Sequence, residues 1–107
     1  MPKFSVDTSD LGHGLVQYTA YESNWVAPVG MAWVLGTSGE KEVAVIYDCY
    51  VPISRRRDGV MRAILDKMFE RYEVVISDGV TTEGVGFMRH MGFKYRKETG
   101  DYYKEKK

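Results

Sequence analysis

Cysteine occurs once in this chain, at Cys49, so no internal disulfide can brace it and no cysteine pair outlines a metal site. Histidine is almost as scarce: His13 and His90 stand far apart and lack ligand spacing, so no metal is expected. Neither sign of charge dominates. Fifteen Lys and Arg residues offset fifteen Asp and Glu, which removes the global field that would draw nucleic acid. No apolar run reaches membrane-spanning length, and the opening MPKFSVDTSD has no apolar core of signal-peptide size. Repeats, low-complexity tracts and linker-like stretches are missing too. The expectation left standing is a reduced, cytoplasmic, soluble protein, one domain over residues 1–107, monomeric or a small oligomer such as a homodimer.

What is present reads as a mixed α/β chain. Residues 14–22 (GLVQYTAYE) are rich in Val, Tyr and Thr and predict a strand, with nothing helical in the polar residues before it. Ser23 to Pro28 predicts a return, 29–35 (VGMAWVL) a second strand, and Gly36 to Gly39 a loop. Residues 42–51 (EVAVIYDCYV) are apolar on both sides, the pattern of a central strand covered on both faces. From Gly59 to Tyr72 the residues Val60, Met61, Ile64, Leu65, Met68, Phe69 and Tyr72 recur at helical spacing, with Arg62, Asp66, Lys67, Glu70 and Arg71 opposite them. Residues 73–77 (EVVIS) predict a short buried strand. A second helix is expected from about Thr82 to Met91, stopped by Gly92. A turn at Thr99, Gly100 and Asp101 between Tyr-bearing runs predicts a terminal hairpin, with KEKK fraying at its end.

The richest stretch is VAVIYDCYVPISRRRDGVMRAILDKMFER, residues 43–71, where a β-rich run passes through three arginines and a glycine into an amphipathic helix. That order sets cationic side chains and unspent backbone N–H groups at the positive end of a helix, a seat suited to phosphate. Gly59 permits close backbone approach, and Arg55, Arg56 and Arg57 can pair with phosphate oxygens. The plain alternative is a basic surface turn preceding a core helix.

Within it, IYDCYVPISRRRDGVMRAIL resembles the acetyl-coenzyme A binding motif of the GNAT N-acetyltransferase superfamily: a strand ending in Val, a short loop, then R-x-x-G-x-G/A opening a helix. Val51 ends the strand, and Arg56-Arg57-Asp58-Gly59-Val60-Met61 fills the motif. Downstream, EGVGFMRHMGF is similar to the family's second signature, a helix closing on Gly92 and Phe93. The resemblance covers roughly residues 29–103. It implies an α+β fold, GNAT-like: a mixed, largely antiparallel sheet, a central strand–loop–helix cofactor motif and a C-terminal hairpin. It also implies acetyl-CoA as cofactor. The pyrophosphate and 3′-phosphate would sit against Arg55 to Met61 (Arg55, Arg56, Arg57, Asp58, Gly59, Val60 and Met61), and the pantetheine arm along Cys49, Tyr50 and Val51. In the family that strand splays from its neighbour at a bulge.

The catalytic half is less complete. Asp48, three residues before Val51, matches a position often acidic in the family and can accept the amine's proton, or simply bind a cationic substrate. Met88 follows Phe87 where the family often has a proton-donating Tyr, Met61 replaces a small residue, and Thr81 lies near a common Asn. Tyr102 or Tyr103 (with Tyr95 a further option) can replace the missing acid. Cys49 reads as an inert, buried strand cysteine, and His90 as a surface or helix-capping residue. Full members wall the acceptor pocket with two N-terminal helices, which residues 1–13 do not supply, so the acceptor side is expected to be open or completed by another subunit. Compact versions of this kind resemble those carried by bacteriophages. The implied function is acetyl transfer to an amine, with a protein or bulky acceptor favoured. The competing readings are a GNAT-like fold that has lost transfer and serves in structure or interaction, and a phosphate-recognising adaptor using the Arg triplet on nucleic acid.

Overall fold

The computed structural model describes residues 4–22, 27–37, 42–51, 58–77 and 82–106, with the side chains of residues 82–84 excepted. Its elements are β1 (Phe4–Gly12), β2 (Leu15–Glu22), β3 (Pro28–Thr37), β4 (Val43–Tyr50), α1 (Val60–Met68), β5 (Val74–Ser77), α2 (Thr82–His90), β6 (Lys94–Arg96) and β7 (Asp101–Glu105). All strands join one sheet in the order β1-β2-β3-β4-β5-β7-β6. Every pairing is antiparallel except β4 with β5, so the sheet is mixed and largely antiparallel, closing on the β6–β7 hairpin.

Register sorts the side chains onto two faces, because directly paired residues share a face and neighbours along a strand alternate. One face carries Val16, Tyr18 and Ala20, then Ala32, Val34, Ala44, Ile46, Val75 and Tyr102, all buried. α1 packs on this face through Val60, Met61, Ile64, Leu65 and Met68. Burying those five side chains contributes on the order of 10 kcal/mol before ordering entropy is set against it. α2 joins the same side: Met88, Met91 and Phe93 belong to the same core. Lys104, the register partner of Val75, donates from Nζ to the Met91 carbonyl (2.7 Å) and lies over the Phe69 ring. A cation there suits the negative end of α2.

Four sequence expectations are corrected. The polar N-terminal segment forms β1, joined to β2 by a turn in which His13 (φ 55°) and Gly14 (φ 82°) both take positive φ, as a tight hairpin requires. Phe4 from β1 is buried in the core. The first helix ends at Met68 rather than Tyr72; the chain turns over residues 69–71, and buried Tyr72 donates its amide to the Met68 carbonyl. β4 is not covered on both faces, since both helices share one side and Tyr47 to Tyr50 are exposed. The terminal KEKK does not fray at its start: Lys104 and Glu105 are in β7, and the Lys106 amide donates to the Glu73 carbonyl.

Two glycines of β3 let the helical layer settle. A Cβ on Gly30 would stand 2.5 Å from Val60 Cγ1 and 3.3 Å from Val51 Cγ2. A Cβ on Gly36 would stand 2.7 Å from the Tyr72 hydroxyl. That hydroxyl is itself buried, and among the described residues it has no hydrogen-bond partner in acceptable geometry. Nearby Tyr18, buried beside it, has its phenol pushed up to about 12, by burial first and then by Tyr72.

Gly30→Ala is expected to destabilise the fold by about 1–3 kcal/mol, since neither β-branched valine can swing away; an unchanged urea midpoint would contradict this packing. Tyr72→Phe should be neutral or stabilising by up to about 1 kcal/mol, because it removes an unsatisfied buried hydroxyl. A loss of stability on that change would mean the hydroxyl is bonded after all.

Candidate functional site

The site begins where one ladder ends. Among the described residues β4 pairs with β5 over Val43–Ile46 against Val74–Ser77. Beyond Ile46, β4 continues to Tyr50 against β3 alone, and its register with β3 shifts there: Val34 faces Ile46, but Trp33 faces Asp48. Tyr47 is therefore the extra residue of a β-bulge. Bulges bend and twist a strand, and this one follows directly on Ile46 and Ser77, the last β4–β5 pair among the described residues. The edge of β4 from Tyr47 onward, on its β5 side, is left without a described strand partner.

The bulge also resets which face each residue takes. Cys49 pairs with Ala32 and so lies on the helical face, whereas Asp48 and Tyr50 pair with Trp33 and Met31 on the opposite face. Tyr47 and Tyr50 are among the most exposed large side chains, at 73% and 60%. Asp48 is exposed and accepts a hydrogen bond at Oδ1 from the Cys49 amide, 2.9 Å away. Backbone pairing at Cys49 thus has to use its carbonyl or displace that carboxylate. Cys49 is exposed rather than buried, a correction to its sequence reading. Neighbouring atoms still strip solvent from its sulfur, and that desolvation, ahead of the Asp48 carboxylate, pushes the thiol above its ordinary 9.0. A thiol held protonated is a poor nucleophile, so the inert reading stands for a different reason.

Val51 turns back into the core beside Gly30. Residues 52–57, and with them Arg55, Arg56 and Arg57, lie outside the described residues, as does Thr81. The chain is described again at Asp58, and Gly59 caps α1 with φ 92° and no side-chain hydrogen bond. Ala63 donates to the Gly59 carbonyl (3.0 Å), so Val60, Met61 and Arg62 have no intrahelical acceptor for their amides. Only glycine takes φ 92° readily, and a Cβ on Gly59 would meet nothing within 4 Å. Open space therefore adjoins an amide-lined helix start, which suits an anion. Val60 and Met61 point into the core, at 1% and 6% exposure, so they can contribute backbone N–H groups only. Met61 consequently does not crowd this space.

Across the divergence, Ser77 ends the β4–β5 ladder, buried on the helical face, with Tyr102 opposite it in β7. The Tyr102 ring packs against Tyr95 at 5.2 Å. Tyr103 pairs with Ile76 on the other face, where Arg96 stacks over it at 5.2 Å. Arg96 also grips Asp101 with two bonds of 2.8 and 2.7 Å, which locks the hairpin and holds the Asp101 carboxyl below its ordinary range. The two candidate tyrosines are thus separated onto opposite faces. Sequence reasoning did not single out Ser77 or Trp33; the pairing registers alone put them beside Tyr102 and Asp48. Among the described residues no group of three His, Cys, Asp or Glu is placed to hold a metal, and no helix is long and apolar enough to cross a membrane.

No family model and no curated protein matches the sequence. Solved structures do match in fold. The E. coli protein YhhK in its coenzyme A-bound solution structure is 20% identical, with a TM-score of 0.67 over 91% of this chain and 76% of that one. A GNAT-family protein from Desulfovibrio desulfuricans is 19% identical, with a TM-score of 0.63 over 86% and 69%. A mutant of the toxin AtaT, bound to the C-terminus of the antitoxin AtaR and to acetyl-CoA, is 9% identical, with a TM-score of 0.65 over 97% and 94%. At these identities the likeness is one of fold.

Alkylation of Cys49 by iodoacetamide should be slow at pH 7 and rise through a midpoint above 9.0, its ordinary value. A midpoint below that value would show an activated thiolate and reopen a nucleophilic role.

Proposed function

We propose that this chain, which has the fold of the GNAT N-acetyltransferases, transfers an acetyl group from acetyl-CoA to an amine carried by a protein or another bulky acceptor. The observation that carries the reading is the Tyr47 bulge at the last described β4–β5 pair, followed by the glycine-capped start of α1. Neighbours of the same fold bind coenzyme A or acetyl-CoA, which supports the same ligand here. In this reading the unspent amides of Val60, Met61 and Arg62 and the open space at Gly59 receive the pyrophosphate, with Arg55, Arg56 and Arg57 adding charge. Asp58 belongs to this loop. The pantetheine arm runs along Cys49, Tyr50 and Val51, on the β5 side of β4.

When bound, acetyl-CoA supplies an activated acetyl thioester. The residues then divide the proton transfers between the two faces of the sheet. Asp48, on the face without helices, accepts the proton of the attacking amine directly or through water. Tyr102, on the helical face beside the ladder's end, gives a proton to the departing thiolate; buried Met88 has none to give. Tyr103 is held by Arg96 on the acceptor's face and is the less suitable acid. No described helix walls the face that bears Asp48, Trp33 and Tyr50, which suits an acceptor bringing its own surface.

A second reading rests on Met88: the fold retains the ligand but not the transfer. Calorimetry with acetyl-CoA should give micromolar affinity, lost on combining Arg56→Ala with Arg57→Ala. Asp48→Asn should lower kcat by about 100-fold and Tyr102→Phe by about tenfold, with affinity for acetyl-CoA unchanged. Absence of binding at millimolar acetyl-CoA would sink both readings. Binding without turnover on any peptide amine would leave the second.

A further inference from the structure

Beside Asp48 the face without helices carries a pinned aromatic ring. Reading the register across the sheet, Ser9, Gln17, Trp33 and Asp48 form one row on β1 to β4, and Asp7, Thr19, Met31 and Tyr50 form the next. The charged positions of these two rows are both acidic, and neither row holds a Lys or Arg.

A chain of hydrogen bonds holds the ring. The Trp33 indole donates from Nε1 to Gln17 Oε1 (3.0 Å), and Gln17 donates from Nε2 to Thr19 Oγ1 (3.1 Å). An indole can only donate, so this contact dictates which end of the Gln17 amide faces it. Thr19 is buried, and Gln17 and Trp33 are half-buried, which anchors the chain in the sheet surface. Fixing the ring in advance removes the ordering cost that a free side chain would add to a binding event. With its N–H spent on β2, the ring has no polar group left to offer a ligand and presents carbon alone. Directly across from it, on β4, stands Asp48, and paired residues on one face have Cβ atoms about 5 Å apart. The exposed Tyr50 follows on the same face of β4, close enough on the diagonal for its ring to reach the same space.

We infer that Trp33 selects the acceptor, by taking the stem and ammonium of a lysine side chain on its ring and steering the head to Asp48. Aromatic faces attract cations, Trp most strongly. A pinned ring alone would suit any apolar group, and a carboxylate alone would suit any cation; side by side they call for both in one ligand. Lysine carries a compact ammonium on a flexible four-carbon stem, and such a stem spans the roughly 4.8 Å between neighbouring strands. The stem then lies on Trp33 while the head stands at Asp48. A peptide's terminal α-amine has no such stem and would have to lay its backbone on the ring. That the bound lysine is an acceptor rests on the acetyltransferase reading, whereas recognition of the alkylammonium does not.

The Nα-acetyl amide of Nε-trimethyl-lysine keeps the charge and cannot be acetylated, so it reads recognition without transfer. Titrated into the isotope-labelled chain, it should shift the Trp33 indole N–H resonance, identified by its loss in Trp33→Phe, and the neutral norleucine analogue should not. In turnover of a lysine-bearing peptide, Trp33→Leu should raise KM about fivefold with kcat changed by less than about twofold. Trp33→Phe should raise KM about twofold, and Gln17→Leu, which frees the ring, about threefold. Calorimetric affinity for acetyl-CoA should stay the same in all three variants. Equal shifts from trimethyl-lysine and norleucine overturn the inference, by leaving an apolar contact only. A loss confined to kcat overturns it too, as does a preference for peptide α-amines over lysine. If no amine is acetylated, the acetyltransferase reading fails and the titration alone decides: a charge-dependent shift upholds the cation site, and its absence overturns it.

Discussion

Among the described residues the parallel ladder between β4 and β5 runs over four pairs, Val43–Ile46 with Val74–Ser77, and a β-bulge at Tyr47 follows directly on its last pair. A parallel pair is held by evenly spaced, slanted hydrogen bonds and tolerates no extra residue on one side. Tyr47 is such a residue, inserted against β3. The strand can remain paired with β3 past the bulge or with β5, and it stays with β3. What results, among the described residues, is a stretch of β4 backbone in the middle of the sheet with no strand partner on its β5 side. An interior edge cannot recruit another sheet as an outer edge can. It accepts a narrow extended ligand that supplies amides of its own, a description that a pantetheine chain satisfies.

The helical layer makes that edge usable. α1 must start close to the end of β4, and it does so because Gly30 lacks a side chain where Val60 and Val51 come down. Its start is neither capped by a side chain nor preceded by an acidic first turn. A helix without a side-chain cap gives up about 1 kcal/mol of stability. In return its first amides remain open toward whatever binds at the mouth. The buried Val60 and Met61 hold those amides in place by facing the other way, so packing and binding use different atoms of the same residues.

The sequence made the helices, the central strands and the motif legible because each rests on local pattern: apolar spacing in α1, β-branched runs in β3 and β5, the glycine at 59. It did not make β1 legible, since FSVDTSDLG gains its apolar contact from Phe4 and Val6 alone and its hairpin from positive φ at His13, a residue with only a modest liking for it. A His-Gly turn signal was present but weak. Face assignments were invisible for a different reason. One bulged residue inverts the alternation, so that Cys49 and Asp48 exchange faces relative to an unbroken strand, and no periodicity in YDCYV announces it. Tyr102 and Tyr103 were equivalent in sequence and became distinct only through their partners Ser77 and Ile76.

That inversion bears on chemistry as well as on packing. Acetyl transfer needs a base for the incoming amine and an acid for the outgoing thiolate, and the two must not neutralise each other. A carboxylate and a phenol side by side would share a proton and blunt both roles. If Asp48 and Tyr102 take those roles, the sheet keeps them apart: Asp48 and its aromatic neighbours stand on one face, Tyr102 and the helices on the other. A ligand lying between them presents its reactive carbon to both sides at once. In the proposed reading the acceptor comes to the face that no described helix covers, where Asp48 stands beside Trp33 and Tyr50.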